Sequence, residues 1–257
     1  MTNLIERRRH IVDLAESEGR VEVDDLVQRF GVSAVTIRND LNELSNRGLV
    51  VRSRGGAVAS TRLTRELSVQ EKYSENLAVK RKLGQAVAEL LGEDIRSLII
   101  DSGTTTEEVA KHLTGRTSLK VQTNGLNIAS ALAANEGIEI MVTGGTLRRK
   151  SMSFFGRHAE ESLRYMHFDR FILGVDGFDM KVGVATHFEP EASLNRAMFE
   201  ASSEVIAVTD SSKFGRRGSH VICRHDEIDT LVTDSNVHES VVDYLSDAGV
   251  RVHLVDI

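Results

Sequence analysis

The sequence predicts two domains, an N-terminal winged helix-turn-helix and a C-terminal α/β domain with a mostly parallel sheet. Three observations carry that expectation. An N-capped amphipathic helix with a polar outer face lies within Gly31 to Leu44, a Gly-Gly hairpin follows it, and from Ser97 to Val255 short apolar runs alternate with helical ones. At 257 residues the chain has room for a small first domain and a second with a sizeable core. The expected boundaries are 1–58 for the first domain, 59–75 for a linker and 76–257 for the second.

Leu4, Ile11, Val12 and Ala15 set one apolar stripe, and Leu26, Val27 and Phe30 set a second, shorter one opened by Asp24. In the third helix Ser33 is the N-cap, and Ile37, Leu41 and Leu44 recur at i, i+4 and i+7 on one face. Val35, Thr36, Arg38, Asn39 and Asn42 are thereby left for the polar face or its capped first turn. Arg suits guanine or phosphate, Asn suits adenine and Val suits the thymine methyl, so this face points to base edges in double-stranded DNA. Leu49 to Val58 reads as a hairpin around Gly55-Gly56, with Arg52 and Arg54 alternating onto one face of the wing strand, in reach of phosphates or the minor groove. A winged helix used only for protein docking would present an apolar outer face instead.

The charge distribution agrees locally. The chain is acidic overall, at formal net charge -6, while residues 1–60 hold nine basic and nine acidic side chains. From Ser33 to Arg65, however, six arginines (38, 47, 52, 54, 62 and 65) face only Asp40 and Glu43. Arginine concentrated near the reading element, with excess acid elsewhere, fits salt-dependent operator binding without indiscriminate coating of DNA.

Residues 59–75 carry Ser, Thr and Arg with little apolar periodicity and read as the linker. Beyond it, Leu83, Val87, Leu90 and Leu91 mark a helix. Seven apolar runs then read as buried strands: Ser97 to Asp101, Lys120 to Thr123, Glu139 to Thr143, Asp169 to Asp176, Glu204 to Asp210, Thr230 to Asp234 and Val250 to Val255. Parallel sheets of this kind bind ligands beyond the carboxyl ends of their strands. Five of those exits are polar or glycine-rich. Asp101-Ser102-Gly103-Thr104-Thr105-Thr106 leads into a helix, as a phosphate site requires, although the same residues also serve as a plain helix cap. Thr123-Asn124-Gly125, Gly144-Gly145-Thr146, Gly174-Val175-Asp176-Gly177 and Asp210-Ser211-Ser212-Lys213 follow, and Lys213 supplies a cation for an anionic ligand.

A single cysteine, Cys223, excludes an intrachain disulfide and a cysteine-based zinc site, and fits a small strand-end residue in a reducing cytoplasm. The N-terminus lacks a signal-peptide pattern, and no apolar run approaches the roughly 18 residues needed to span a bilayer, so no membrane association is expected.

The motifs VTIRNDL, RGGA, DSGTTT, TNG, TGG, GVDG and DSSKF together resemble the DeoR family of transcriptional regulators over nearly the whole chain. That resemblance implies operator binding, usually as a repressor, and a C-terminal domain similar to the ribose-phosphate isomerase fold that senses a phosphorylated sugar. It implies that Ser102 to Thr106 form the phosphate loop, that Lys213 is a second anchor, and that Asp176 and Asn124 face the sugar. The runs THFEPEASLNRAM and TDSSKF are most similar to the amino-sugar repressors, of the N-acetylgalactosamine type. The chain departs from the family at Asn39, where a second basic residue is usual; a cation is exchanged there for an adenine-reading amide.

The competing reading is a phosphosugar isomerase or deaminase with a DNA-binding appendage. Asp176, Asp179, Lys181, Glu189 and Glu191 cluster near where the isomerases hold their acid-base groups. Their lysine-glycine loop is reduced here to Lys181-Val182-Gly183, and a similar sheet does not carry chemistry with it. His187, with Glu189, Glu191 and His220, lacks short metal-ligand spacing, so a loop histidine able to contact the effector is expected; no metal and no cofactor are. Arg148 and Arg149 read as a ligand clamp, a solvated pair or a subunit contact. Because one recognition helix reads only a few base pairs, a homo-oligomer, dimer or tetramer, is expected.

Overall fold

The structure, a computed structural model, describes residues 4–46, 49–59, 62–63 and 66–257. Arg47 and Arg65 of the basic stretch lie outside the described residues, and of Arg62 only the backbone is described.

Numbered along the chain, the first unit comprises α1 (Leu4–Glu18), β1 (Arg20–Glu22), α2 (Val23–Phe30), α3 (Ala34–Asn46), β2 (Val50–Ser53) and β3 (Gly56–Ala59). Ile11, Ala15, Leu26, Ile37, Leu41 and Leu44 close one core between the helices and the wing. Leu4, read into the α1 stripe, is instead exposed. Gly31 ends α2 in the left-handed conformation at φ 62°, with its N–H returned to the Val27 carbonyl. This turn sets the angle at which α3 leaves. The wing sheet has the order β1-β3-β2, all antiparallel, so β1 adds a third strand to the predicted hairpin.

Between the units lie β4 (Arg62–Leu63) and α4 (Val69–Ser74). The expected linker therefore carries a short helix, fixed by a capping box in which Ser68 and Glu71 satisfy each other's backbone N–H groups. The second unit runs α5 (Leu77–Leu90), β5 (Ser97–Ile100), α6 (Thr104–His112), β6 (Leu119–Thr123), α7 (Leu126–Leu132), β7 (Ile138–Val142), β8 (Thr146–Arg148), β9 (Ser153–Phe155), α8 (Arg157–Glu161), β10 (Phe168–Gly174), β11 (Gly177–Asp179), β12 (Gly183–Thr186), α9 (Glu189–Glu200), β13 (Ser202–Val208), β14 (Arg216–Arg217), β15 (His220–Cys223), β16 (Thr230–Asp234), α10 (Glu239–Asp247) and β17 (Arg251–Val255).

The seven apolar runs are the strands of one sheet, ordered β17-β16-β13-β10-β5-β6-β7, with every pairing parallel. Both faces are covered, which is why the strands read as continuous apolar runs. Leu98, Ile100, Ile172, Ile206 and Val232 pack with Leu83, Val87 and Val109 of α5 and α6. Their alternating neighbours Ile99, Phe171, Leu173, Val205 and Leu231 pack with Leu194 and Met198 of α9 and Leu245 of α10. From β5 the chain winds outward through β6 and β7, then returns to the other side of β5 as β10. The β5/β10 boundary is thus the topological switch point, where the crevice of such a sheet opens.

Outside the main sheet lie a three-stranded antiparallel sheet β11-β12-β15, the hairpin β8-β9 and the pair β4-β14. Cys223 ends β15 buried, and burial pushes its thiol up to about 12. Among the described residues no helix is long and apolar enough to cross a membrane.

Candidate functional site

On α3 the reading face forms as the helical period dictates. Ser33 caps the helix, its Oγ accepting the Thr36 N–H at 3.1 Å and lying 2.9 Å from the Thr36 hydroxyl. Val35, Arg38, Asn39 and Asn42 are exposed, Val35 to 63 %. Asp40, on the opposite side, is buried and takes Arg7 Nε at 2.6 Å and Arg8 Nε at 2.8 Å, which ties α3 to α1. Sequence reasoning counted these only as charges.

The wing differs from expectation. Arg52 is 8 % exposed, and its Nη1 donates to the Gly56 carbonyl at 2.7 Å. Its burial depresses its own pKa, with the Arg38 charge adding to the effect. Arg54, in the turn after β2, stays exposed and lines one shallow groove with Arg52 and Arg38. Its backbone N–H and guanidinium lie 3.4 Å from the carbonyl and side-chain oxygens of Asn236, beside a bridge between Ser53 and Val237. The wing thus rests on the loop after β16.

At the switch point a cavity is lined by Asp101, Ser102, Gly103, Thr104, Thr105 and Thr106 after β5, by Asp176 after β10 and by Lys213 after β13. Gly103, at φ 152°, turns the chain into α6. The first N–H groups of a helix lack intrahelical partners, so this first turn favours an anion. Asn124 lies beneath the loop and does not line the cavity. It is 1 % exposed, its Oδ1 accepting Ser102 N–H at 2.8 Å and its Nδ2 donating to Asp101 at 3.3 Å. Gly125 packs behind it: a Cβ there would meet the Ser102 Cα at 3.1 Å. Gly144 and Gly145 also fall outside the lining. Both have positive φ and turn the chain into β8, and a Cβ on Gly145 would meet the Phe155 carbonyl at 2.6 Å. His187 follows the lining residue Thr186; burial lowers its pKa, opposed by the charges of Asp176 and Glu66.

Several lining residues escaped sequence reasoning, among them Glu66, Lys72, Lys80, Ser151 and Asn195. Lys80 is 2 % exposed, in phase with Leu83 and Val87 on α5, and donates to the Lys72 carbonyl at 2.5 Å. A lysine set on an apolar stripe was the available signal. Burial, together with the charge of Lys213, depresses its pKa. Lys72 is ion-paired with Asp176. Burial favours the neutral form of Asp176, but the ammoniums of Lys72 and Lys213 outweigh it and bring the carboxyl down to about 2. Asp101 goes the other way: burial, and then the charge of Glu191, push it up to about 8. Arg148 is no solvated arginine. It forks onto Glu66, with Nη2 to Oε2 at 2.7 Å, lies 3.4 Å from Glu191 and sits 4.2 Å over the Phe188 ring. With Glu66 and Glu191 held by Arg148 and Asp176 held by Lys72, Lys213 pairs among the described residues with Glu75 alone, at 3.6 Å, and remains available to an anion.

Residues 7–62 match the DeoR-like helix-turn-helix domain, and residues 75–235 match the DeoR C terminal sensor domain. The chain belongs to the DeoR family. Among its relatives, a putative aga operon transcriptional repressor of Escherichia coli O157:H7 is 45% identical over 257 residues, covering 99% of this chain and 95% of that one. The glycerol-3-phosphate regulon repressor of Escherichia coli K12 is 32% identical over 252 residues, covering 97% and 98%. Solved structures overlap more faintly. Ribose 5 phosphate isomerase A from Neisseria gonorrhoeae overlaps at TM-score 0.40 and 14% identity, over 54% of this chain and 53% of that one. Likeness at that distance says nothing of activity.

This DeoR-family protein is a transcriptional regulator, and its geometry gives the residues of the suspected acid-base cluster other partners. Asp179 is buried, accepts the Lys181 and Val182 N–H groups at 2.8 and 3.1 Å, and pairs with Arg217 at 2.5 Å. Lys181 and Glu189 are exposed and do not line the cavity. Glu191 accepts the Ser153 hydroxyl at 2.7 Å and faces Arg148.

Proposed function

We propose that this regulator represses a sugar or amino-sugar catabolic operon and leaves its operator when a phosphorylated sugar fills the switch-point cavity. The observation that carries the reading is the convergence of the first turn of α6 with Lys213 and Lys80 on one cavity. A helix N-terminus and two ammoniums suit a phosphate monoester. Ser102 to Thr106 and Lys213 hold the phosphate, while Asp176 and Asn195 face the sugar. The Asn195 Oδ1 is buried with no hydrogen-bond partner among the described residues, which favours a ligand hydroxyl or amide N–H as its donor. Asp101, raised to about 8, is largely protonated at pH 7, which weakens its repulsion of the phosphate.

Val35, Arg38, Asn39 and Asn42 read the major groove, with Ser33 and Thr36 fixing the helix start and Arg54 at the wing tip. Residues 1–58 form the reader, 59–75 the linker and 76–257 the sensor. The protein acts in the cytoplasm as a homo-oligomer, because paired reading heads multiply specificity. The relative named for the aga operon supports an amino-sugar effector. The test is thermal unfolding of the full chain against phosphorylated amino sugars, other sugar phosphates and the unphosphorylated sugars. Stabilisation by a phosphorylated amino sugar alone is the expected result, since a ligand raises apparent stability by mass action. Equal stabilisation by the unphosphorylated sugar would remove the phosphate from the reading.

A further inference from the structure

The cavity is closed on one side by α4, a helix that belongs to the segment between reader and sensor. Its Lys72 side chain is 17 % exposed, lines the cavity and pairs with Asp176. Lys80, fixed on α5, donates to the carbonyl of that same residue. The rest of α4 is fastened to the cavity walls. Val69 N–H donates to the Lys150 carbonyl at 2.8 Å, the Tyr73 hydroxyl bonds Glu107 in the first turn of α6, and just beyond α4 the Asn76 Nδ2 donates to Asp210 at 3.1 Å. Glu107 and Asp210 stand on the two segments that carry the anion anchors, the start of α6 and the turn ending at Lys213. On its other side, α4 follows β4, which pairs in parallel with β14 just after Lys213.

We propose that Lys72 is an effector-binding residue and the one through which occupancy of the cavity reaches the reader. The inference rests on the sugar-phosphate reading of the same cavity. An anionic effector competes with Asp176 for the Lys72 ammonium. As the ammonium turns to the effector, Asp176 becomes free to accept a sugar hydroxyl, and α4 is drawn with Lys72. The sensor could bind its ligand through Lys213 and the α6 turn alone, but those groups belong to the sensor. Lys72 belongs to the chain that leads to α3, so its exchange of partner moves a segment continuous with the DNA-binding unit. This supplies the differential contact that a ligand must have to shift a two-state equilibrium.

The test uses the full chain, Lys72→Met and Lys72→Arg, with galactosamine 6-phosphate and N-acetylgalactosamine 6-phosphate as probes and inorganic phosphate as the control. Sugar-phosphate affinity is measured by calorimetry, operator release is measured relative to each variant's own sugar-free affinity, and amide exchange is followed over residues 66–76. Lys72→Met is expected to bind the sugar phosphate about tenfold more weakly, the loss of one charge-assisted hydrogen bond. At saturation it should leave the operator occupied and show no ligand-dependent exchange at 66–76. Lys72→Arg, which keeps the charge, should recover part of the release and shows that the Met result is not one of folding. Release by saturated Lys72→Met equal to that of the wild type overturns the inference and leaves the effector reading standing. A wild-type protein that binds neither sugar phosphate overturns both.

Discussion

At the scale of single residues, exposure separates reading from structural groups within one helix. Arg38 is exposed on the outer face of α3, two residues from Asp40, which is 1 % exposed. Arg38→Ala should weaken operator binding by about 5- to 150-fold, as loss of a base or phosphate contact of about 1–3 kcal/mol requires, with thermal stabilisation by the effector unchanged. Fluorescence anisotropy on an operator fragment checks it; unchanged affinity counts against the reading face. Asp101 gives a prediction in pH. Its carboxyl is raised from the usual 3.8 to about 8, so the folded chain keeps a proton that the unfolded chain releases. Stability contributed at this site is present below about pH 4, falls as pH rises toward 8 and is level beyond. Asp176, lowered to about 2, acts oppositely, and its contribution is lost only as pH falls below about 4. Melting temperatures of Asp101→Asn and wild type should therefore diverge in favour of the variant between pH 5 and 8. Parallel profiles would show that Asp101 titrates normally. The outward face of α3 was legible because helical period alone sorts its residues. Arg52 was not, since strand alternation assigns it a face but cannot tell that its guanidinium folds back onto the Gly56 carbonyl.

At the scale of elements, the fit between α5 and α6 positions the anion loop. Gly84 lets the two helices approach so closely that an added Cβ would lie 2.5 Å from the Glu108 carbonyl carbon, a backbone atom that cannot swing aside. Gly84→Ala should destabilise the sensor by about 1–3 kcal/mol through overpacking, read as a lower urea midpoint, and should displace the start of α6. A variant as stable as the wild type would mean that the helices separate without cost. The seven main strands could be read within a residue or two, because burial on both faces writes them as uninterrupted apolar runs. The strands of β8-β9 and β11-β12-β15 are three or four residues long with mixed polarity, and leave no such trace. The helix α4 did leave one, in Ser68-Val69-Gln70-Glu71, the spacing of a capping box, but its six residues are too few to show a periodic face.

At the scale of the whole molecule, the linker is held to the sensor through β4 and α4, and the wing tip of the reader rests on the loop after β16. Neither contact could be read from the sequence, since each joins residues far apart in the chain whose partners are set by tertiary packing. The cavity was partly legible for a related reason. Strand exits announce themselves by Gly, Ser and Thr, whereas Lys72, Glu66 and Asn195 come from helices and linker that only the fold brings to it. These contacts allow a small displacement at the sensor to reorient the reader. A useful coupling needs about 1–3 kcal/mol of differential binding. The most direct measurement is anisotropy of a duplex selected from random DNA by the full chain, titrated at about 0.15 M salt with and without a sugar phosphate that stabilises the protein. The wild type should bind at least about tenfold more weakly with the sugar phosphate present, while Lys213→Ala should hold the duplex in both conditions. Unchanged duplex affinity in a wild type saturated with sugar phosphate, or release by Lys213→Ala equal to that of the wild type, would contradict the account.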